Sequence, residues 1–319
     1  MTAVLAHRGA LSGTAVAVAA VLALALNGSE QALVIGLITG AGYGLVALGL
    51  VLIYKSSGVF NFAQGEFGTV AVYALWGALA NGVPYPLAMV LALVAALAMG
   101  LLTERLIIRR LFDAPKVTLL VATAGVSLLA IGTEIWLGEA RLRFIQPALG
   151  RFDRVSVLGI KVSDQRMLIL ATLILLAIGL ALFFSRTNLG LAILAVSQEP
   201  TATELMGISV RRLSGLVWGL AAILGGLGGV LTAGVVQNFG PGFITGSTLI
   251  PAFTAAVLGG MTSLPGAFVG GVVVGVVQAF AVGEPAFSSI PGQGTLAVFL
   301  LLVGVLAVRP QGLLGKAAS

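Results

Sequence analysis

Residues 213–236 read LSGLVWGLAAILGGLGGVLTAGVV, a stretch without a single charged side chain. A helix needs roughly 20 consecutive apolar residues to cross the hydrocarbon of a bilayer, and this stretch is long enough. The rest of the chain has the same character. Of its 319 residues, 59% are hydrophobic and only 9% are charged, whereas soluble domains are about 25% charged. The composition therefore predicts an all-α integral membrane protein.

Composition also excludes several kinds of chemistry. The chain has no Cys, and its only His is His7, so disulfides, thiolate nucleophiles and Cys- or His-based metal sites are not expected. The phosphate-binding pattern G-x-x-x-x-G-K-[ST] does not occur, so we expect no nucleotide site, cofactor or metal of its own. Lys and Arg outnumber Asp and Glu by 17 to 11. In a membrane protein this excess indicates loop orientation rather than nucleic-acid binding.

Ten segments are candidate membrane crossings. Residues 10–26 are either a signal-peptide core or a retained first helix, and we favour the helix because no convincing cleavage site follows. Residues 60–80 begin with polar residues. Residues 249–283 are interrupted by glycines and by a turn at 263–266, which predicts a short helix followed by a full one. The six clear crossings are 33–53, 86–102, 117–137, 167–184, 213–236 and 294–308.

The basic residues predict the orientation. Eleven of the 17 lie on the side that holds both termini, and the positive-inside rule assigns this side to the cytoplasm. The other six lie in one outer loop, 138–166. This cluster is either weak evidence against the topology or an outer docking surface. We therefore predict one transmembrane domain over 1–319, with about 8–10 helices.

A short pattern, N-F-x-x-G, occurs twice, at 61–65 and at 238–242. In the predicted topology the two halves of the chain, 33–137 and 213–308, cross the membrane in opposite directions. Inverted repeats of this kind are common in transporters and place the pathway at their interface. The five-residue match is within the reach of chance, so the opposed topology is the stronger part of this prediction. The candidate pathway residues from these motifs are Asn61, Phe62, Gln64, Gly65, Asn238 and Phe239.

Glu66 lies just inside a membrane segment, where an acid at the helix centre costs about 2.5–3.5 kcal/mol. It either joins Asn61 and Gln64 in a polar patch that faces the pathway at a broken helix, or complements a helix N-terminus as a first-turn acid. The two roles are compatible. Glu134 is the other membrane acid, and its position in the sequence predicts that it reaches water at the outer end. We therefore expect no pair of acids.

The loop 185–212 contains signals for a short helix. Pro200 suits a first helical position, and Gly207 suits the end of a helix. The intervening residues, 201–206, make less than two turns, too short to be stable alone in water. We expect a partner to pack on this helix, with a solvated connector as the alternative.

Residues 58–67, GVFNFAQGEF, resemble the N-F-A-[HQ]-G-E-F signature of branched-chain amino acid ABC transporter permeases. The resemblance covers roughly residues 33–315, so 10–26 lies outside it, and Gln64 replaces the His often found there. The further segments that agree, in order, are 103–105 (TER), 123–127 (TAGVS), 185–186 (SR), Glu199, 205–208 (LMGI), 252–260 (AFTAAVLGG), 263–267 (SLPGA) and 309–312 (RPQG).

The resemblance implies a permease subunit in the lipid of a bacterial cytoplasmic membrane, importing branched-chain or other small amino acids. Its implied partners are an extracytoplasmic solute-binding protein, two cytoplasmic ABC ATPase subunits that use the ATP, and a second, homologous permease subunit, with a heterodimer favoured. The segment 198–207 would be the coupling helix, although it keeps only the Ala and Gly of the E-A-A-x-x-x-G pattern. Two alternatives stay open: import of urea or short amides, and an ion-coupled carrier that titrates Glu66 and Glu134. The implied ATPase contacts are Glu199, Pro200, Ala202, Glu204 and Gly207.

Overall fold

The computed structural model describes residues 30–148, 154–157, 160–198, 200–308 and 312, so the predicted first helix at 10–26 lies outside the described residues. The helices in chain order are α1 (Glu30–Ser57), α2 (Gln64–Ala80), α3 (Tyr85–Leu106), α4 (Lys116–Gly138), α5 (Asp164–Arg186), α6 (Asn188–Gln198), α7 (Pro200–Leu205), α8 (Val210–Val236), α9 (Phe243–Ser247), α10 (Leu249–Gly259), α11 (Leu264–Gly283) and α12 (Gln293–Val308). The strands are β1 (Arg143–Phe144), β2 (Arg154–Val157), β3 (Ile160–Ser163) and β4 (Asn238–Phe239).

Six of the described helices are long and apolar enough to cross a membrane: α1, α3, α4, α5, α8 and α11. The first five contain the predicted crossings 33–53, 86–102, 117–137, 167–184 and 213–236, and extend beyond them by at most four residues at either end. The predicted all-α integral membrane fold is confirmed. The opposed arrangement of the two halves stays a prediction.

The irregular segments form shorter helices. The crossing predicted at 60–80 begins later than expected, because α2 starts only at Gln64. With 17 residues, α2 is also shorter than the six helices that are long enough to span a membrane. The segment 249–283 divides into α10 and α11, as the sequence predicts. The chain turns between them at Gly260, where φ is 90°. Ser263 then caps α11 by accepting a 3.0 Å hydrogen bond from the N–H of Gly266.

Helix α8 is the centre of the packing, because its glycines let three other helices approach its backbone. A Cβ at Gly229 would lie 2.5 Å from the carbonyl oxygen of Gly68 in α2. A Cβ at Gly226 would lie 2.9 Å from Ala96 in α3, and one at Gly228 would meet α1 at the same distance. Small residues at such contacts are the usual means of close helix packing in membranes.

Helices α1 and α11 are in backbone contact. A Cβ at Gly40 would lie 2.4 Å from the carbonyl oxygen of Gly271, and one at Gly275 would lie 2.3 Å from that of Gly36. Helices α1, α2, α8 and α11 form the packed interior. Helix α3 packs against α2 and α8 on one side only, and like α4 and α5 it exposes most of its surface.

The strands belong to the predicted outer loop and to the segment after α8. β1 pairs antiparallel with β4, placing Arg143 opposite Phe239, and β2 forms a hairpin with β3. The loop 138–166 is thereby attached to the end of α8, close to the turn that leads into α9.

Candidate functional site

The polar side chains at the start of α2 are buried. Asn61 and Gln64 are 1% and 0% exposed. The Asn61 side chain accepts a 3.0 Å hydrogen bond from the N–H of Ala63 and donates one of 3.4 Å to Gln64. Gln64 in turn donates a 2.9 Å hydrogen bond to the carbonyl oxygen of Ala221 in α8. These two amides therefore tie the first turn of α2 to the central helix.

The Gln64 amide fills a slot between two glycines. A Cβ at Gly49 would lie 2.2 Å from its Nε2 atom, and one at Gly225 would lie 2.9 Å away. Phe62, in contrast, is 40% exposed. Its backbone N–H donates a 3.2 Å hydrogen bond to the hydroxyl group of Thr123 in α4. Phe62 is thus the side chain of this motif that reaches the surface.

Glu66 is fully buried where the first turn of α2 meets α9. Its carboxyl group lies against Thr245, Glu134 and Thr69. Within the described residues, neither of its carboxyl oxygens has a hydrogen-bond partner, and the Thr245 hydroxyl has none either. Gly65 allows this approach, since a Cβ there would lie 2.7 Å from the Thr245 α-carbon.

Glu134 reaches the same point from α4. Its Oε2 atom accepts a 2.8 Å hydrogen bond from the N–H of Gly242, and the side chain is only 7% exposed. The prediction that Glu134 reaches water, and that the chain has no pair of acids, is wrong. The turn between β4 and α9, with Gly242 at φ 66°, covers the Glu134 carboxyl group and brings it next to Glu66.

The second N-F-x-x-G motif lies beside this pair of acids, because its Gly242 contacts both of them. Phe239 is fully buried, with its ring centroid 5.0 Å from that of Tyr73 and 6.4 Å from that of Trp76. The Arg143 guanidinium lies 4.2 Å from the centroid of the Trp76 ring. Asn238 is exposed. An aromatic cluster of Tyr73, Trp76 and Phe239, covered by Arg143 of the loop 138–166, therefore lies next to the acids.

The predicted short helix in the loop 185–212 is present as α7, and it ends before Gly207, which has φ 83°. Thr203 is 1% exposed and faces the protein. Leu205 and Met206 are 85% and 69% exposed. Adjacent exposed Leu and Met side chains give α7 an apolar surface that a partner can cover.

The residues predicted to contact an ATPase differ in how far the structure describes them and in their exposure. Pro200 begins α7, as predicted from its place in the sequence. Ala202 and Glu204 are exposed. Glu199 lies outside the described residues.

The start of α8, just after α7, is held by Arg109, which follows α3 and forms an ion pair with Glu104 near the end of that helix. Arg109 donates two hydrogen bonds to one carboxyl oxygen of Glu104 at 3.2 Å and one to the other at 3.0 Å. Arg109 also donates a 3.3 Å hydrogen bond to the backbone carbonyl oxygen of Arg211. Glu104 is 2% exposed and Arg109 is 38% exposed. The geometry connects the end of α3 to the beginning of α8.

Comparison with known proteins now adds to this geometry. The profile of a family described as the branched-chain amino acid transport system permease component matches residues 32–308. The chain belongs to this permease family. No solved structure gives a significant match.

Several curated relatives of the permease share most of its length. The high-affinity branched-chain amino acid transport system permease protein BraD of Pseudomonas aeruginosa is 34% identical over 301 residues, which cover 90% of this chain and 95% of BraD. LivH of Escherichia coli K12 is 28% identical over 88% of this chain and 94% of its own. A probable LivH of Methanocaldococcus jannaschii is 30% identical over 85% and 88%, respectively.

The permease brings together some of the predicted residues and separates others. Gly65 and Gly242, from the two copies of N-F-x-x-G, both flank Glu66, whereas Asn61 is buried and Asn238 is exposed. Sequence reasoning missed the role of Glu134. Glu134 contacts Gly242, which is 108 residues away in the sequence. The sequence feature that could have indicated this role was an acidic residue within an apolar stretch.

Proposed function

We propose that this permease is the membrane-spanning subunit of an ABC importer in the bacterial cytoplasmic membrane, with both termini in the cytoplasm, and that it translocates branched-chain or other small amino acids. The observation that carries the proposal is the family match over 32–308. The branched-chain amino acid transport role in the names of BraD and LivH supports the substrate class.

The partners in this proposal are a solute-binding protein outside the membrane, two ATPase subunits in the cytoplasm and a second, homologous permease. The exposed Leu205 at the end of α7 and Met206 directly after it support an ATPase contact at this helix. Movement of α7 would be passed to α8, whose first turn is held by Arg109. ATP can drive transport only if the ATPases bind it more tightly in one conformation, and α7 is the connection through which this preference would act.

Transport in proteoliposomes tests the substrate and the energy source together. The permease is reconstituted with the ATPases, second permease and binding protein encoded beside it, and uptake of labelled leucine, isoleucine and valine is compared with that of urea and acetamide. We expect ATP-dependent uptake of the three amino acids. Preferential uptake of urea or acetamide would contradict the substrate class.

Gly207→Pro tests the coupling role of α7. Proline cannot adopt the φ of 83° found at this position, so α7 and α8 should lose their relative orientation while the spanning helices stay intact. We expect ATP hydrolysis to continue without uptake. Gly207→Ala, strained by about 1–2 kcal/mol, is the matched control and should keep more of the uptake. Normal uptake by Gly207→Pro would remove α7 from the mechanism.

The adjacent carboxyl groups of Glu66 and Glu134 favour a second candidate, an ion-coupled carrier, since intramembrane acids are common in proton and ion pathways. The two candidates differ in their energy source. Collapsing the ion gradient with ATP held constant should leave an ABC importer active and stop a carrier.

A further inference from the structure

Buried polar atoms without a hydrogen-bond partner are concentrated at one contact of the permease. Among the described residues nine buried side-chain atoms lack a partner, and six of these belong to Glu66, Tyr73, Glu134, Arg143 and Thr245. These residues lie together where α2 meets α4 and α9. Buried polar groups are normally hydrogen-bonded, so each exception requires an explanation. Six exceptions at one contact indicate a common cause.

The two carboxyl groups at this contact have too few donors. Glu66 and Glu134 lie within hydrogen-bonding reach of each other. Of their four oxygens, only Oε2 of Glu134 has a donor, which is the N–H of Gly242. Ionised carboxyl groups only accept hydrogen bonds, so two of them would meet with no donor between them. The Thr245 hydroxyl has a single hydrogen and can serve at most one of the three remaining oxygens.

The charges around the pair lead to the same conclusion. In the described part of the chain, neither Glu66 nor Glu134 forms an ion pair with a basic residue. The titratable or charged side chains that face them are Tyr73 of α2 and Arg143 of β1, and Arg143 donates to the carbonyl oxygen of Gly138 instead. Helix α9 has no charged residue, and α1, α3 and α8 carry charge only in a terminal turn. Two adjacent carboxyl groups without a cation cannot both be ionised when they are buried.

We propose that Glu66 and Glu134 form a binding site for one proton, which their carboxyl groups share. The proton turns one carboxyl group into a donor, and an O–H donating to an ionised carboxylate makes a hydrogen bond roughly twice as strong as a neutral one. Gly242 donates to Glu134 and thereby favours its ionised form, so Glu66 is the donor. A proton needs only the oxygens that are present, whereas a hard cation such as Ca²⁺ or Mg²⁺ takes six or more oxygen ligands.

The bound proton makes the contact between α4 and α2 depend on pH. With the proton, Glu66 and Glu134 attract each other; without it, they repel, and separation of the helices lets both ionise. The joined arrangement therefore binds a proton that the separated arrangement releases. By linkage, low pH stabilises the contact and high pH weakens it. The proton site depends neither on the solute that the permease transports nor on its energy source.

Infrared difference spectra of the purified permease detect the proton directly, because a protonated carboxyl group has its own C=O stretching band, which shifts in D₂O. We expect such a band in the wild type near neutral pH and its loss as the pH rises. Glu66→Gln and Glu134→Gln should each abolish it, since an amide N–H then donates to the remaining carboxylate and no proton is needed. Glu139→Gln, at an exposed acid paired with Arg141, is the matched control and should keep the band.

Equilibrium unfolding in detergent at a series of pH values gives an independent readout. Glu in an unfolded chain has a pKa of about 4.3, so above about pH 5.5 the unfolded permease holds no proton at these two positions. Folding then binds one proton, and the folding equilibrium constant of the wild type should fall about tenfold for each pH unit until the pair loses its proton. Glu66→Gln and Glu134→Gln should remove this slope, whereas any contribution of His7 is common to all variants.

Several results would overturn the shared proton. A wild type without the band near neutral pH would mean that both acids are ionised. A band that survives in both single variants, or disappears in only one of them, would mean that burial protonates an acid without its neighbour. Loss of the wild-type band on addition of Na⁺ at constant pH would mean a cation site. Size-exclusion chromatography checks the folding of each variant, and if one fails to fold, the other variant and the wild-type titration still decide.

Discussion

Glu134 in α4 accepts a 2.8 Å hydrogen bond from the backbone N–H of Gly242, at the turn that leads into α9. The same turn lies beside Glu66, at the start of α2. Three segments far apart in the sequence thus meet at two buried carboxyl groups. Any displacement of α4 relative to α2 changes this contact, so movement of these helices alters the surroundings of both carboxyl groups.

Replacement of Glu134 should separate its hydrogen bond from its charge. Glu134→Leu leaves the N–H of Gly242 without an acceptor, and a buried unpaired donor costs about 1–3 kcal/mol. Glu134→Gln keeps a carbonyl oxygen as acceptor and should cost less. Unfolding in detergent, followed by the loss of helical circular dichroism, measures both variants. Equal destabilisation would show that the charge of Glu134, and not its acceptor, holds the turn.

Glu66→Gln should impair uptake more than it impairs expression. Among the described residues, no donor is hydrogen-bonded to the Glu66 carboxyl group, so an amide of the same shape should keep the packing of α2 against α9. The measurement is uptake per inserted molecule in proteoliposomes. Glu139→Gln, a change at an exposed acid of the loop 138–166, is the control and should leave both quantities unchanged. Reduced expression with normal uptake by the remaining protein would make Glu66 purely structural.

The sequence predicted those features that depend on neighbours along the chain. The apolar stretch 213–236 gave α8, and the turn signals at Pro200 and Gly207 gave the limits of α7. Hydropathy cannot show which helices lie side by side, so the pairing of Glu134 with Gly242 was missed. That Gln64 faces the pathway stays a prediction, but hydropathy could not show that its amide lies in the slot between Gly49 and Gly225. Only the packing of α1 against α8 creates that slot.

The contact between α1 and α11 should depend on glycine. A Cβ at Gly271 would lie 2.7 Å from the carbonyl oxygen of Gly40 and from the α-carbon of Gly44, so Gly271→Ala must push the helices apart. We expect a loss of about 1–3 kcal/mol in the free energy of unfolding.

Gly132→Ala in α4 is the matched control for Gly271→Ala, since a Cβ there meets nothing within 4 Å. This change should be neutral or stabilise the helix by up to about 1 kcal/mol. Unfolding of the two variants in the same detergent compares them directly. If both variants lose a similar amount of unfolding free energy, then glycine is required at positions 271 and 132 for a reason other than close helix packing.

The ion pair between Glu104 and Arg109 should contribute to both stability and coupling. Arg109→Gln leaves the buried Glu104 carboxylate without its cation and releases the carbonyl oxygen of Arg211. Loss of one partner of a fully buried pair costs about 3–5 kcal/mol. Arg109 is 38% exposed, so we expect only about 1–3 kcal/mol here.

The double variant Glu104→Gln/Arg109→Gln separates these two contributions. It removes the buried charge along with its partner, so most of the lost stability should return, and the excess over additivity measures the interaction. The link to Arg211 stays weakened, however, because a glutamine amide has fewer donors than a guanidinium group. We therefore expect the reconstituted double variant to hydrolyse more ATP per solute molecule than the wild type. Full recovery of both stability and coupling would show that the pair serves only to neutralise a buried acid, and that α3 does not hold the start of α8 during transport.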